Sequence, residues 1–170
     1  HSFFTRQLQS MGHDIRDGKD ISLLRNTQVS EVLDEEPDTV APDLPAPATL
    51  EAVIASRWGR VFVVGEGGRL EGFITLETSR SAFDDPDKTA ADLASPALSV
   101  TSACDLTTAM KRFVEKGEAH VPVIEDETGQ RLIGVIHDFD VSYAYHRAML
   151  VAEGQEELPE AAPWNRDDRT

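Results

Sequence analysis

The stretch RLIGVIHDFDVSYAY, residues Arg131–Tyr145, decides the fold, because a second version of it occurs earlier in the chain. The earlier version is RLEGFITLETSRSAF, residues Arg69–Phe83. Both versions begin with Arg-Leu and place a glycine just before an apolar run. The separation between corresponding residues is 62 positions, as from Gly72 to Gly134. This period is longer than that of most solenoid repeats, so it indicates a small domain that is present twice.

The overall composition limits what the chain can bind. Its 170 residues can form two modules of about 60 residues that share a core, since one such module alone buries little surface. The 16 Lys and Arg against 31 Asp and Glu give a net charge of -15, which argues against binding to nucleic acid or to an anionic membrane surface. The single cysteine, Cys104, cannot form an internal disulfide, which favours a reducing compartment. No apolar run approaches the roughly 18 residues needed to span a bilayer, and no signal peptide is visible.

The residue pattern predicts the same order of elements in each repeat: a short strand, a helix, two hairpin strands and a closing helix. In repeat one these elements are Thr39–Val40, Thr49–Arg57, Val61–Val64, Leu70–Thr75 and a helix ending near Phe83. In repeat two they are Ser99–Thr101, Leu106–Lys116, Val121–Ile124, Leu132–His137 and Phe139–Leu150. The first helix of repeat one is expected to present Leu50, Val53 and Ile54 on one face. The fold class is therefore α+β, with two strand-helix-strand-strand-helix repeats.

The segments outside the repeats differ from them in pattern. Before the repeats, Phe4, Leu8 and Met11 follow helical spacing and predict a short amphipathic leader helix. The chain begins without a start methionine, which suggests a piece of a longer protein. The last 20 residues carry six acids and two prolines, a composition typical of a disordered tail, in which Trp164 is the best candidate for an anchor. The expected organisation is a leader at 1–26, repeat one at 27–86, repeat two at 87–150 and an acidic tail at 151–170.

Two residues could contact a ligand. Asp140 follows His137 by three positions, where an apolar strand meets the next helix. A carboxylate there can accept two hydrogen bonds from a vicinal diol such as a ribose, although an acid at a helix start also interacts favourably with the helix dipole. Trp58 lies just before the buried strand of repeat one, where it would either cover the edge of the core or stack on a planar ring.

The sequence gives little reason to expect catalysis or a metal site. His120, His137, Asp138 and Asp140 match no zinc-ligand spacing. There is no nucleophile with a base near it in sequence. The glycines of Gly65–Gly68 join two hairpin strands and do not open a helix, so they are not a phosphate loop. We therefore predict that the chain is not an enzyme, has no catalytic or metal-binding residues and requires no cofactor.

The order of elements, with the closing sequences Gly72-Phe-Ile-Thr-Leu-Glu-Thr78 and Gly134-Val-Ile-His-Asp-Phe-Asp140, resembles the CBS-domain pair. The resemblance covers about 27–150 and implies two intertwined repeats that often bind adenosine nucleotides in their clefts. The leader SFFTRQLQSMGHDI, followed by NTQVSEVL, is similar to the segment that joins the last membrane helix of ClC-type chloride channels and chloride/proton antiporters to their cytosolic CBS pair.

This second resemblance implies a host protein. The chain would be the cytosolic regulatory domain of a prokaryotic ClC protein, on the cytoplasmic side of the cell membrane, with its own transmembrane domain as a partner. It would sense an adenosine-type nucleotide and modulate chloride transport. Two alternatives remain: a CBS pair of another host, such as a metal-ion transporter or a metabolic enzyme, and a purely structural dimerisation module without ligand.

The family pattern also implies one complete ligand cleft. The ribose-binding acid of the family falls on Asp140, and the corresponding position of repeat one is Thr78. The residues assigned to the adenosine ligand are Thr39, Trp58, Gly59, Val61, His137 and Asp140. Asp138 stands where the family often carries a basic residue facing the phosphates, and a fixed acid opposes a triphosphate. The expected regulatory ligand is AMP, adenosine or ATP, with AMP or adenosine binding at least as well as ATP.

Apolar helix faces predict a homodimer. Each repeat is expected to expose more apolar helix surface than one 60-residue core can absorb. The residues on these two faces are Ala109, Met110 and Phe113 in one helix, and Val141, Tyr143 and Tyr145 in the other.

Overall fold

The computed structural model describes residues 25–152 of the chain. The leader helix predicted from Phe4, Leu8 and Met11 lies outside the described residues, as do residues 153–170 of the acidic tail with Trp164.

The described residues form a mixed α+β structure in which the predicted order of elements occurs twice. The elements are β1 (Thr39–Val40), α1 (Ala46–Ala55), β2 (Arg60–Val64), β3 (Leu70–Thr75), α2 (Ala90–Leu93), β4 (Val100–Thr101), α3 (Leu106–Lys116), β5 (His120–Ile124), β6 (Leu132–His137) and α4 (Asp138–Ala152). Three short 3-10 helices accompany them at Val29–Glu31, Glu66–Gly68 and Thr78–Ala82. The α+β prediction is confirmed.

The closing element of repeat one differs from the prediction. It is a 3-10 helix, Thr78–Ala82, where the sequence predicted an ordinary helix. The Thr78 hydroxyl accepts a hydrogen bond from the Thr75 backbone N–H at 2.8 Å, and the Ser79 hydroxyl donates to the Leu76 carbonyl at 2.9 Å. Short hydroxyl side chains that bond to nearby backbone groups compete with regular helix formation. The helix therefore tightens into a single short turn.

The first helix of repeat one also differs in position and in its buried face. α1 begins at Ala46, three residues earlier than predicted, and the buried Thr49 donates its hydroxyl to the Pro45 carbonyl at 3.0 Å. Val53 is buried as expected, but 68% of Ile54 is exposed. The prediction that Ile54 shares the buried face is wrong, because the face is centred on Ala46, Thr49 and Val53.

The strands form two three-stranded sheets of the same design. Their orders are β1-β2-β3 and β4-β5-β6. In each sheet the short first strand runs parallel to the middle strand, with Thr39 opposite Phe62 in one sheet and Val100 opposite Val123 in the other. β2 and β3 pair antiparallel, as expected for a hairpin.

The chain divides into two compact units. The larger unit comprises Leu33–Ser102 and Val121–Val135. The described part of the smaller unit comprises residues 25–32, Ala103–His120 and residues 136–152. Each unit contains segments of both sequence repeats.

Inside the larger unit, a short segment of each repeat pairs with the last strand of the other repeat's sheet, β6 or β3. Asp34 and Val135 exchange two backbone hydrogen bonds of 2.9 Å, and Phe73 and Ser95 exchange two of 3.0 and 2.9 Å. These are short antiparallel bridges between segments far apart in sequence. The intertwining that the resemblance implied is therefore present within this unit.

The glycine that recurs in both repeats makes these bridges possible. A Cβ atom at Gly134 would lie 2.5 Å from the Asp34 carbonyl oxygen, and one at Gly72 would lie 2.7 Å from the Ser95 carbonyl oxygen. Both distances are too short for a side chain to occupy. The repeated glycine is therefore needed for close approach of two backbones.

Two apolar clusters fill the larger unit. The first consists of Val40, Ala46, Val53, Val61, Val63, Ile74, Ala82, Ala90 and Leu93. The second consists of Phe62, Leu70, Ile124 and Val135. The first is built around α1 and the inner face of its sheet, and the second contains residues of both repeats.

The smaller unit contains α3 packed against α4. Its four buried α3 residues, Leu106, Ala109, Met110 and Phe113, follow the spacing of one helix face. The Asp105 carboxylate accepts a hydrogen bond from the Thr108 N–H at 2.9 Å and caps the helix start.

The apolar faces that predicted a homodimer lie inside the chain. Ala109, Met110 and Phe113 are buried, as are Val141 and Tyr145, and Tyr143 is half-buried. The reason given for the homodimer is therefore wrong, because these faces are covered without a second copy. No helix within residues 25–152 is long and apolar enough to cross a membrane.

Candidate functional site

Four of the six residues assigned to a ligand lie in the larger unit, at the start of β1 and β2. Thr39 is exposed on β1 and lies opposite Phe62 of β2, the residue that follows Val61. Val61 is buried, so only its backbone could contact a ligand. Gly59 is exposed with a positive φ of 68° and turns the chain into β2. These residues therefore lie at one end of the first sheet.

Trp58 is half-buried beside a charged side chain. The Arg57 guanidinium carbon lies 5.4 Å from the centre of the Trp58 ring, within the range of a cation–π contact. Arg57 also forms a 3.6 Å ion pair with Asp34, and its backbone N–H donates to the Asp38 carboxylate at 3.1 Å. These contacts hold Arg57 against the ring. Arg57 was not among the residues predicted from the sequence, although its position next to the candidate stacking residue Trp58 was a signal.

The other two predicted residues, His137 and Asp140, lie in the smaller unit where β6 ends and α4 begins. Both side chains are buried, with 2% of His137 and 6% of Asp140 exposed. The Asp140 carboxylate accepts a hydrogen bond from the His137 backbone N–H at 3.3 Å. The structural role considered for Asp140, an acid at a helix start, is therefore present. A carboxylate has two oxygens and several acceptor positions, so it can accept further hydrogen bonds besides this one.

The same turn occurs in repeat one with a different acceptor. There the Thr75 backbone N–H donates to the Thr78 hydroxyl at 2.8 Å, at positions 62 residues before His137 and Asp140. The local structure of the turn thus does not require an acid. A buried carboxylate in repeat two, where a hydroxyl suffices in repeat one, favours an additional role for Asp140.

His137 contacts two further aromatic rings in the smaller unit. Its Nδ1 atom lies 2.7 Å from Nδ1 of His120, and the two rings meet edge to face at 78°. On its other side the Phe139 ring stacks on it with 5.1 Å between ring centres. We call His120 and His137 the histidine pair. In the part of the chain that the structure describes, no group of three or more His, Cys, Asp or Glu residues is placed to hold a metal ion.

Asp138, the acid expected to oppose phosphate, is partly buried at the start of α4. Burial raises the pKa of the Asp138 carboxyl above its ordinary value, and the charge of Asp140 acts in the same direction. The Phe139 backbone N–H and His137 oppose this shift. A carboxyl with a raised folded-state pKa costs stability when it is ionised near neutral pH. This cost decreases as the pH falls below that pKa and is gone below the ordinary carboxyl pKa. That Asp138 faces a phosphate stays a prediction.

The six assigned residues are thus divided between the two units. Thr39, Trp58, Gly59 and Val61 lie in the larger unit, and His137 and Asp140 lie in the smaller one. That they line one cleft stays a prediction.

A family model with the description CBS domain matches the chain twice, at residues 29–78 and 90–147. The two matches fall on the two sequence repeats. A search of curated proteins gave no match.

Solved structures share the fold at low sequence identity. An uncharacterized conserved protein from Pyrococcus horikoshii is 22% identical with a TM-score of 0.62, and the match covers 72% of this chain and 55% of that one. The CBS domain pair of protein MJ0100, in complex with 5′-methylthioadenosine and S-adenosyl-L-methionine, is 19% identical with a TM-score of 0.58, covering 71% and 96%. The cytosolic domain of the Mg²⁺ channel MgtE, in complex with ATP, is 24% identical with a TM-score of 0.59, covering 68% and 48%. The chain thus spans about half the length of the first and third of these proteins.

Proposed function

Because the chain belongs to the CBS-domain family and carries two copies of the domain, we propose that it is a regulatory module that binds an adenosine-type nucleotide. The observation that carries the proposal is the buried Asp140 carboxylate at the strand–helix junction of repeat two, where repeat one uses Thr78. Two structures of the same fold hold adenosine-type ligands: S-adenosyl-L-methionine with 5′-methylthioadenosine in one, and ATP in the other.

Each assigned residue has a role in this proposal. Asp140 accepts hydrogen bonds from the ribose diol, because an ionised carboxylate is a strong acceptor for two adjacent hydroxyls. Trp58 stacks on the base, and the cation–π contact with Arg57 holds its indole ring in place. Thr39 supplies a hydroxyl, Gly59 lets the backbone approach the ligand, and the backbone at Val61 reads the base edge. His137 positions Asp140 through its backbone N–H.

We expect adenosine and AMP to bind at least as well as ATP, because the ionised Asp138 opposes a triphosphate. Titration of the chain with adenosine, AMP and ATP, followed by thermal unfolding, measures this order. The Asp138→Asn variant removes the charge with little change in shape, so it should improve ATP binding more than adenosine binding. No thermal shift with any of the three at millimolar concentration would reject nucleotide binding and favour the structural-module alternative.

For the host protein, we propose the cytoplasmic side of a ClC-family chloride transport protein, where the module modulates transport. The support is the similarity of SFFTRQLQSMGHDI and NTQVSEVL to the ClC connecting segment. The likeness to the cytosolic domain of the Mg²⁺ channel MgtE keeps a metal-ion transporter as the alternative. The coding sequence upstream of His1 tests the proposal: ten or more apolar spans with ClC motifs would support it, and a Mg²⁺-transporter membrane domain would replace it.

We also propose a homodimer, now based on different residues from those predicted. In the larger unit, 73% of Phe83 and 68% of Ile54 are exposed, and α1, which carries Ile54, packs against the 3-10 helix that Phe83 follows. Leu76, which precedes that helix, is 56% exposed. A contiguous exposed apolar patch marks an interaction surface, and we propose that these three residues form one. A two-subunit transporter would bring two copies of this surface together.

Sedimentation at micromolar concentration tests the homodimer. We expect a species of twice 18.7 kDa, and Phe83→Asp should shift it to the monomer because a charge at the centre of an apolar interface is costly. As a control, Glu127→Lys in the exposed β5–β6 turn should leave the dimer intact. A wild-type chain that remains monomeric up to millimolar concentration would contradict the proposal.

A further inference from the structure

The histidine pair joins the start of β5 to the end of β6 inside the smaller unit. The two Nδ1 atoms lie 2.7 Å apart, which is a short hydrogen bond between two ring nitrogens. His137 is buried and His120 is half-buried. The pair is specific to repeat two, since the positions 62 residues earlier hold Trp58 and Thr75.

This geometry limits how many protons the pair can hold. A hydrogen bond between two Nδ1 atoms needs a hydrogen on one of them and a lone pair on the other. One extra proton is compatible with the bond, because it can enter on Nε2 of the donating ring and makes that ring a stronger, charged donor. A second extra proton must enter on the accepting Nδ1. Two N–H groups then face each other on two cationic rings, and the bond is lost.

The groups that act on the pair come from three segments. From α4, the charge of Asp138 interacts with His137, and Asp140 accepts from the His137 backbone N–H. The segment before β5 carries Glu118, two residues before His120. On α3, which packs on α4, Arg112 and Glu115 pair with each other at 3.6 Å. The Asp140 hydrogen bond is made to the His137 backbone N–H, whereas the bond that a second extra proton would break joins the two rings.

The pair is connected to Asp140 through the backbone. The Asp138 N–H donates to the Ala119 carbonyl at 2.9 Å, so the start of α4 is attached to the residue before His120. The His137 N–H is in turn the donor to the Asp140 carboxylate. Separation of the two rings therefore loosens the turn that positions Asp140.

We propose that His120 and His137 form a proton-operated switch. The switch is closed, with the Nδ1–Nδ1 hydrogen bond intact, while the pair holds at most one extra proton. A second extra proton breaks this bond and so weakens the Asp140 ligand site at acidic pH. The switch itself depends only on the two imidazoles. Its effect on a ligand rests on the proposed nucleotide binding.

The switch is tested by NMR of imidazole nitrogens in the full chain. At about pH 8, above the ordinary imidazole pKa of about 6.5, one Nδ1 should carry a hydrogen and the other should not. As the pH falls, the two rings should titrate in two separate steps, as coupled groups do. In His137→Thr, which places the residue of repeat one there, His120 should titrate in one step. His120→Phe gives the same measurement on His137 if His137→Thr fails to fold.

Two control variants separate the pair from other groups on α4. His146→Gln removes an exposed histidine of α4 and should leave both steps in place. Asp138→Asn removes a partly buried acid of α4 and should also leave two steps, although shifted in pH. If His120 and His137 of the wild type titrate in single independent steps, or carry the same tautomer at about pH 8, the switch is overturned.

Adenosine serves as the probe for the effect of the switch on ligand binding, since it has no phosphate that titrates near neutral pH. We expect wild-type affinity to fall about tenfold or more between about pH 8 and about pH 5.5. His120→Phe should bind with the weaker affinity at both pH values. Equal wild-type affinity at both values would overturn the coupling. No binding at either pH would reject the proposed function, while the NMR titration would still decide the switch.

Discussion

Replacement of Asp140 by alanine is expected to abolish the stabilisation of the chain by adenosine or AMP. A ligand at 100 times its Kd adds roughly 2.7 kcal/mol to the free energy of unfolding. For a chain of this size each kcal/mol raises Tm by roughly 2–4 °C, so the wild type should gain roughly 5–11 °C. Asp140→Ala should gain nothing, because the ribose hydroxyls lose their acceptor. Thermal unfolding with and without ligand measures the difference.

Thr78→Ala is the matched control for this experiment. It removes the hydroxyl that accepts a 2.8 Å hydrogen bond from the Thr75 N–H. This bond is the counterpart in repeat one of the bond from the His137 N–H to Asp140. Both variants therefore lose the same local hydrogen bond, worth about 1 kcal/mol. Thr78→Ala should nevertheless keep the full ligand shift. If Asp140→Ala also keeps it, the carboxylate has only its role at the helix start.

Replacement of Gly134 by alanine is expected to lower the free energy of unfolding by about 3 kcal/mol, at the upper end of the usual range for overpacking. The added Cβ would lie 2.5 Å from the Asp34 carbonyl oxygen and 2.5 Å from Leu33 Cδ1. The Asp34–Val135 bridge, with its two 2.9 Å hydrogen bonds, must then separate. The expected fall in Tm is roughly 6–12 °C. Urea unfolding gives the free energy directly.

Gly129→Ala is the corresponding control in the β5–β6 turn. Its Cβ would lie 3.6 Å from the Asp126 carboxylate, an ordinary contact. A surface substitution without such a conflict usually changes stability by less than about 0.5 kcal/mol. A Gly134→Ala variant as stable as Gly129→Ala would show that the bridge between the repeats is not needed for stability.

Most strands and helices were predictable from the sequence because their signals are local. The predicted bounds are those of β3, β6 and α3. Each of these elements is an apolar run, or a segment with apolar residues at helical spacing, that is bounded by residues which interrupt the pattern. The closing helix of repeat one was the main exception. Its 3-10 form depends on hydroxyl bonds at Thr78 and Ser79, which compete with the helical pattern.

The candidate site was predicted only in part. The sequence identified Asp140 and Trp58 from their positions beside buried strands, and the family resemblance supplied the other assigned residues. It did not identify Arg57 as the neighbour of the Trp58 ring, or the bond between His120 and His137. The two histidines are 17 positions apart in the chain and meet only because β5 and β6 are neighbours in a sheet.

The sequence by itself determined the duplication, the order of the strands and helices and the α+β class, because each depends on spacing and on residues a few positions apart. The tertiary structure decided which apolar faces are covered. It placed Ala109, Met110 and Phe113 inside the chain and left Ile54 and Phe83 exposed. A helical stripe shows which side of a helix is apolar, but the free energy of burial is gained with any apolar surface that covers it. Which surface does so depends on how the whole chain packs.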